Sequence, residues 1–121
     1  MIEENYGRIV NIACLWGKTG RAVHIAYSAA KASVIVNMAS LWGKEYASTG
    51  VTINCVAPAF LDDRAEKKSY HLTVEEMEKE TLVHRIGELE EVAGVIAFVA
   101  SEENTYTTGF CYDISGGMAT Y

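Results

Sequence analysis

Val51-Thr52-Ile53-Asn54-Cys55-Val56-Ala57 is a short, mostly apolar, β-branched run that opens after Gly50 and stops at Pro58, the only proline. Near-continuous apolar character over so few residues describes a strand buried on both faces of a parallel sheet. Gly7-Arg8-Ile9-Val10-Asn11-Ile12-Ala13 has the same character upstream. Downstream, Gly109 leads into Phe110–Ile114, and Gly116-Gly117 ends that third run. A Gly-rich connection with Trp16, Gly17, Gly20 and His24 follows the first strand, and a helical stretch then runs from about Tyr27 to Ser48, with Gly50 as its stop. Beyond the second strand, residues 61–72 are polar and read as a mobile loop. Thr73-Val74-Glu75-Glu76 forms a capping box for a short helix to about His84. A last helix runs from about Glu90 to Ala100, with Val92, Val95, Ile96 and Val99 as its apolar stripe. Strands alternating with helices predict an α/β fold, one domain over residues 1–121 with three parallel strands. So thin a sheet has exposed edges, and small residues along the long helix suggest close packing on more than one side. Both features predict part of something larger, or a homo-oligomer.

Composition narrows the function. Sixteen acidic against ten basic residues leave a formal charge of −6, which argues against a nucleic-acid or anionic-membrane surface. No apolar run approaches the roughly 18 residues needed to cross a bilayer. The acidic opening Met1–Asn5 runs straight into a strand and does not resemble a secretory leader, so the expected location is cytoplasmic. Cys14, Cys55 and Cys111 lie far apart with no Cys-x-x-Cys spacing, which gives neither a disulfide framework nor a zinc site. Cys55 and Cys111 read as small buried hydrophobes.

Ligands of open α/β sheets bind outside the carboxyl ends of the strands. Those ends are Cys14, then Pro58-Ala59-Phe60-Leu61, then Ser115-Gly116-Gly117. The long helix begins on the same rim, and Tyr27 and Lys31 share one of its faces. Such a pair has a chemical purpose. A free phenol, with a pKa of about 10, exchanges protons poorly at neutral pH. An ammonium one turn away favours the phenolate and fits the phenol for general acid–base work. With seven Tyr in the chain, about 0.35 Tyr-x-x-x-Lys pairs arise by chance, so the pair needs its context.

That context is ordered: Gly7–Ala13, then Tyr27-Ser28-Ala29-Ala30-Lys31-Ala32, then Gly50–Pro58, Glu90-Glu91-Val92-Ala93, Thr108-Gly109 and Asp113–Gly117. Together these closely resemble the second half of short-chain dehydrogenase/reductases, particularly the branch with 3-oxoacyl-carrier-protein reductases, over roughly residues 7–118. The resemblance implies the C-terminal portion of a Rossmann-like sheet. It implies reversible hydride transfer between NAD or NADP and a small carbonyl or secondary-alcohol substrate. Tyr27 matches the family's proton donor and acceptor. Lys31 matches the lysine that lowers the tyrosine's pKa and hydrogen-bonds the nicotinamide ribose. Pro58, Ala59 and Leu61 match the segment along the nicotinamide. Residues 61–84 match the variable substrate loop, and the last helix and strand match the subunit interface.

Four departures accompany the match. Cys14 stands where the family places the serine that polarises the substrate carbonyl, and a thiol is a weaker donor. A nucleophilic role for Cys14 has no motif-matched acid–base partner. Ala59 replaces a glycine and could crowd the turn beside the nicotinamide. Asp63 replaces a threonine near the carboxamide. The Gly-rich turn that seats the pyrophosphate is absent from the sequence, so nucleotide binding by this chain alone is in doubt. The alternative to an oxidoreductase is a non-catalytic, self-associating remnant. His24 could touch substrate, although a loop histidine is more often incidental. His71 and His84 read as solvated, Glu75, Glu76, Glu78 and Glu80 as an exposed helix face, and Trp16 as either cleft wall or core.

Overall fold

The computed structural model describes residues 1–62 and 71–121. Asp63 and most of the polar loop lie outside the described residues. The central strand is β2 (Val51–Pro58), flanked by β1 (Gly7–Ile12) and β3 (Cys111–Ile114) in the order β1-β2-β3. Both pairings are parallel, with Gly7 opposite Val51 and Pro58 opposite Ile114 at the two ends. Every residue of β2 is buried, as its unbroken apolar run requires. Cys55 and Ala57 meet Ala13 and Ala39 in one cluster, with Val34 and Ile35 packed against it. Cys55 also stands opposite Cys111. Their thiols touch, and the hydrogen bond that Cys111 donates to Cys55, together with burial, pushes the Cys111 thiol up. No disulfide forms among the three cysteines.

The long helix after β1 starts two residues earlier, ends sooner and is less regular than its sequence suggests. It starts as α2 (Ile25–Ser33), winds as a π-helix over Val34–Leu41, and returns to α3 (Trp42–Glu45). A single 3-10 turn, Ala47–Thr49, precedes Gly50, whose φ of 77° places it in the left-handed region that ends helices. A four-residue helix, α1 (Trp16–Thr19), occupies the Gly-rich connection. It is tied to β3 by Lys18, which bonds Asp113 at 2.6 Å and also the Tyr121 carbonyl. Burial works against the Lys18 ammonium, but the hydrogen bond and charge of Asp113 outweigh it and raise its pKa. The expected capping box opens α4 (Val74–Glu80): Thr73 N–H donates to Glu76 at 2.7 Å, and Glu76 N–H to Thr73 Oγ1 at 3.2 Å. The helix ends at Glu80, short of His84, and turns follow. The last helix, α5 (Leu89–Ala100), buries Val92 and Val99 and packs across all three strands.

Two polar side chains connect β2 to the chain entering β3. Asn54, fully buried, donates to the Thr107 carbonyl at 2.9 Å and accepts from Phe110 N–H at 3.0 Å. Thr108 Oγ1 accepts from Ile53 N–H at 3.0 Å, and Gly109 N–H donates to the Ile53 carbonyl at 2.8 Å. Here α3 touches the loop directly, because a Cβ on Gly43 would lie 2.4 Å from Gly109 backbone atoms.

That contact predicts that Gly43→Ala destabilises the fold by about 1–3 kcal/mol. Gly94→Ala, mid-helix with nothing within 4 Å of its Cβ position, should be neutral or gain up to about 1 kcal/mol. Paired thermal melts test this, and equal effects would refute the close approach. A second expectation concerns acid. The Arg85 guanidinium, 2.7 Å from Glu91, and the Glu88 N–H hold the Glu91 carboxyl at about 2, below the usual 4.5. The stabilisation is therefore complete above about 4.5 and is lost as pH falls toward 2. Urea titrations between those limits should show a shallower pH slope for Glu91→Gln; an unchanged slope contradicts the pairing.

Candidate functional site

The parallel register brings the carboxyl ends of β1 and β2 to one rim, and a cavity of about 410 Å³ opens there. Cys14, Tyr27, Lys31, Pro58, Ala59 and Leu61 all line it. The sequence-derived set is thus gathered in one place from three separate segments. The β1–β2 pairing continues past the strand end, with Ala13 N–H on the Val56 carbonyl at 2.8 Å and Leu15 N–H on the Pro58 carbonyl at 2.9 Å. This fixes Cys14 between two anchored residues. Its carbonyl accepts from Gly17 N–H at 2.9 Å and opens α1. α1 then rests on α2 without a spacer, since a Cβ on Gly17 would lie 2.7 Å from the Lys31 carbonyl carbon.

Lys31 extends back to the sheet. Its ammonium donates to the Ile12 carbonyl at 2.9 Å and lies 5.8 Å from the centre of the Tyr27 ring. The ammonium therefore sits at the strand end beside the phenol, with further protons to offer a ligand. Tyr27 is nearly half exposed, 46%, with its ring edge-on to Trp16 at 6.1 Å. Among the described residues the Cys14 thiol makes no hydrogen bond.

The segment after β2 is held by its neighbours. Ala59 N–H donates to the Ile114 carbonyl at 2.9 Å, and Leu61 forms an isolated parallel bridge with Gly87. Ala59 is not among the residues with positive φ, so the backbone there tolerates alanine without left-handed strain. The bridge commits the Phe60 carbonyl and the Asp62 N–H to Gly87. The Leu61 N–H, by contrast, has no partner among the described residues. A backbone donor left open at the wall of a cavity that also holds a phenol and an ammonium fits the nicotinamide end of a dinucleotide. No Gly-rich turn in the sequence matches its pyrophosphate.

Five further residues line the same cavity: Ile12 and Ala13 at the strand end, and Trp16, His24 and Phe60. Trp16, only 7% exposed, is both wall and core: it packs with Phe60 and Met77. Phe60 lies in the rim segment marked by the sequence but is given no role of its own there. His24 stacks on Trp16 at 4.8 Å. His71 is exposed, as expected, yet it stacks on His24 at 5.7 Å and so is not simply solvated. Arg21 lies over Trp16 and makes a two-point ion pair with Glu80, at 2.7 and 3.0 Å, that raises the pKa of the guanidinium. Glu80, read as part of an open acidic face, instead ties α4 to the rim. His84, with a φ of 55°, stands apart from the cavity. The described residues contain no group of three His, Cys, Asp or Glu able to hold a metal, and no described helix is long and apolar enough to cross a membrane.

Known proteins place this architecture. A family model described as enoyl-(acyl carrier protein) reductase matches residues 1–119. An NAD(+)-dependent 2-dehydro-3-deoxy-L-rhamnonate dehydrogenase of a Sphingomonas species is 41% identical over 121 residues, covering 100% of this chain and 48% of the relative. The 3-oxoacyl-(acyl-carrier-protein) reductase FabG of Vibrio cholerae is 38% identical over 122 residues, covering 98% and 48%. Among solved structures, ElxO with NADP bound superposes with a TM-score of 0.88 at 30% identity, over 98% of this chain and 48% of that one. YwfH, an NADPH-dependent reductase involved in bacilysin biosynthesis, gives 0.89 at 28% identity, over 99% and 50%. The chain spans about half the length of the curated relatives it matches. Three parallel strands with their helices, a match over nearly every residue and Rossmann-like neighbours lead to one conclusion: the chain belongs to the short-chain dehydrogenase/reductase family, as the C-terminal half of its α/β sheet.

Proposed function

We propose that this chain carries the catalytic half of an NAD- or NADP-dependent oxidoreductase that interconverts a small carbonyl compound and its secondary alcohol. The observation that carries the reading is the convergence of Tyr27, Lys31, Cys14 and the Pro58–Leu61 segment on one cavity. Its volume of about 410 Å³ lies within the roughly 300–1,000 Å³ range of small-molecule sites. When bound, the nicotinamide supplies or accepts the hydride. Tyr27 gives its phenolic proton to the carbonyl oxygen in reduction and takes the hydroxyl proton in oxidation. Lys31, held by the Ile12 carbonyl, keeps its ammonium 5.8 Å from the Tyr27 ring and offers a donor to the ribose. Leu61 N–H offers a donor to the carboxamide. Cys14 faces the substrate oxygen with a weak thiol donor, which makes this site slower than one with a hydroxyl there. The pyrophosphate and adenosine contacts come from outside these 121 residues.

A second reading, a self-associating domain without catalysis, is favoured by Ile25, Val36, Leu41 and Trp42, large apolar side chains left exposed on the long helix. Homo-oligomerisation is compatible with both readings; turnover separates them.

The test joins the N-terminal half of the Sphingomonas relative to this chain. The chimera should bind NADH and, with NAD(+) as hydride acceptor, oxidise a hydroxyl of a 2-oxo-3-deoxy sugar acid. Tyr27→Phe should lower kcat by about 10²–10⁴-fold with NADH affinity unchanged. A chimera that binds NADH but never turns over would favour the self-associating reading. Cys14→Ser should raise kcat about tenfold or more, by supplying a stronger donor to the developing oxyanion. A fall in kcat on that substitution would remove Cys14 from the carbonyl-polarising position.

A further inference from the structure

His24 is the polar side chain of the cavity that the proposed chemistry leaves unused. It occupies the N-cap of α2, where a side chain ordinarily accepts from the first turn, yet it makes no capping bond. Only its carbonyl does so, accepting from Ser28 N–H at 2.9 Å. The ring lies against Trp16, with planes 24° apart, and against His71, 30° apart. Stacking explains why the ring is there but leaves its edge unexplained: Nε2 is buried and has no hydrogen-bond partner. A buried nitrogen in that state costs about 1–3 kcal/mol, and such groups in native proteins call for a cause, of which an absent ligand is one. The loop that presents the ring is braced, since Arg21 spans from the Trp16 face to Glu80 on α4. His24 therefore lines the cavity with one unmet hydrogen bond, and a tilt of the ring is needed to bring its covered Nε2 to a ligand there.

We propose that His24 is a substrate-binding residue whose Nε2 hydrogen-bonds an oxygen substituent, hydroxyl or carboxylate, carried by the substrate in addition to its reacting carbonyl or alcohol. This rests on the cavity being the substrate site of the oxidoreductase proposed above, and it narrows the substrate from any small carbonyl to a hydroxylated or acidic one. The rest of the wall agrees. Trp16, Phe60, Ile12 and Leu61 are apolar, so a polar substituent has few places to go, and an apolar ketone would leave Nε2 unpaired.

The experiment uses the polypeptide as its own gene encodes it, with His24 followed by imidazole NMR and Trp16 by fluorescence. Three probes of similar size are titrated: a hydroxylated 2-oxo acid, a neutral hydroxyketone and cyclohexanone. Either or both of the first two should shift the His24 resonances saturably, and which one does identifies the substituent; cyclohexanone should not. His24→Phe keeps a stacking ring but no donor, and should weaken that probe about 10- to 100-fold. His24→Gln should restore most of the loss. Turnover of the same variants, measured in the dinucleotide-binding chimera, separates the two ideas. Unchanged turnover or binding in His24→Phe overturns the role of His24 and leaves the oxidoreductase standing. Saturable His24-dependent binding without turnover leaves His24 as a ligand contact and sinks the oxidoreductase. Equal weakening of all three probes, or no His24 shift with any, overturns the inference.

Discussion

A parallel strand buried at all eight positions is the constraint on which this structure depends. Nothing on β2 reaches water, so each backbone donor and acceptor, and each polar side chain, must be matched inside the protein. Two parallel neighbours meet most of that demand and set the register. Asn54 meets more of it, exchanging bonds with Thr107 and Phe110, while Thr108 and Gly109 complete the pairing at Ile53; the buried Thr52 hydroxyl is left without a partner among the described residues. The same bonds steer the chain into β3, and Gly43 lets the helix close over them. The motif residues far from the rim are thereby accounted for: they hold a buried strand in register.

The site follows from that register. With all three strands parallel, their carboxyl ends share one rim, and Cys14 and Pro58–Leu61 arrive there without further design. The ladder continuing through Ala13 and Leu15 fixes the first strand's exit. Gly17 seats α1 on the turn that carries Lys31, whose ammonium returns to the Ile12 carbonyl. The Tyr–Lys spacing thus acquires meaning from backbone bonds two segments away. On the other wall Trp16 and Phe60 pack together, and His24 is left with an unmet bond.

The sequence made some of this legible and hid the rest for physical reasons. The three strands, the capping box at Thr73 and the rim residues were readable because each leaves a local signature: an apolar run, a Thr-x-x-Glu spacing, a strand end. α1 was not, because four residues are too few to show a period. The π-helical stretch over Val34–Leu41 was hidden because its composition is that of an ordinary apolar helix. Cys55 and Cys111 read as separate buried hydrophobes, and only the register makes them neighbours. The stack of Trp16, His24 and His71 joins residues up to 55 positions apart in the chain, so no local pattern shows that they meet. Ala59 reads as a crowded turn, whereas the backbone beside it, bonded to Ile114, needs no glycine.

The central claim is that the nicotinamide and the substrate meet at the rim formed by Tyr27 and Leu61. The most direct measurement is the amide and aromatic NMR spectrum of the isotope-labelled chain, in a chimera able to bind dinucleotide, as NADH is added. The account predicts the largest shifts at Leu61, Tyr27 and Cys14. Saturable binding with shifts confined to the opposite rim, around Asn5 and Tyr106, would contradict it.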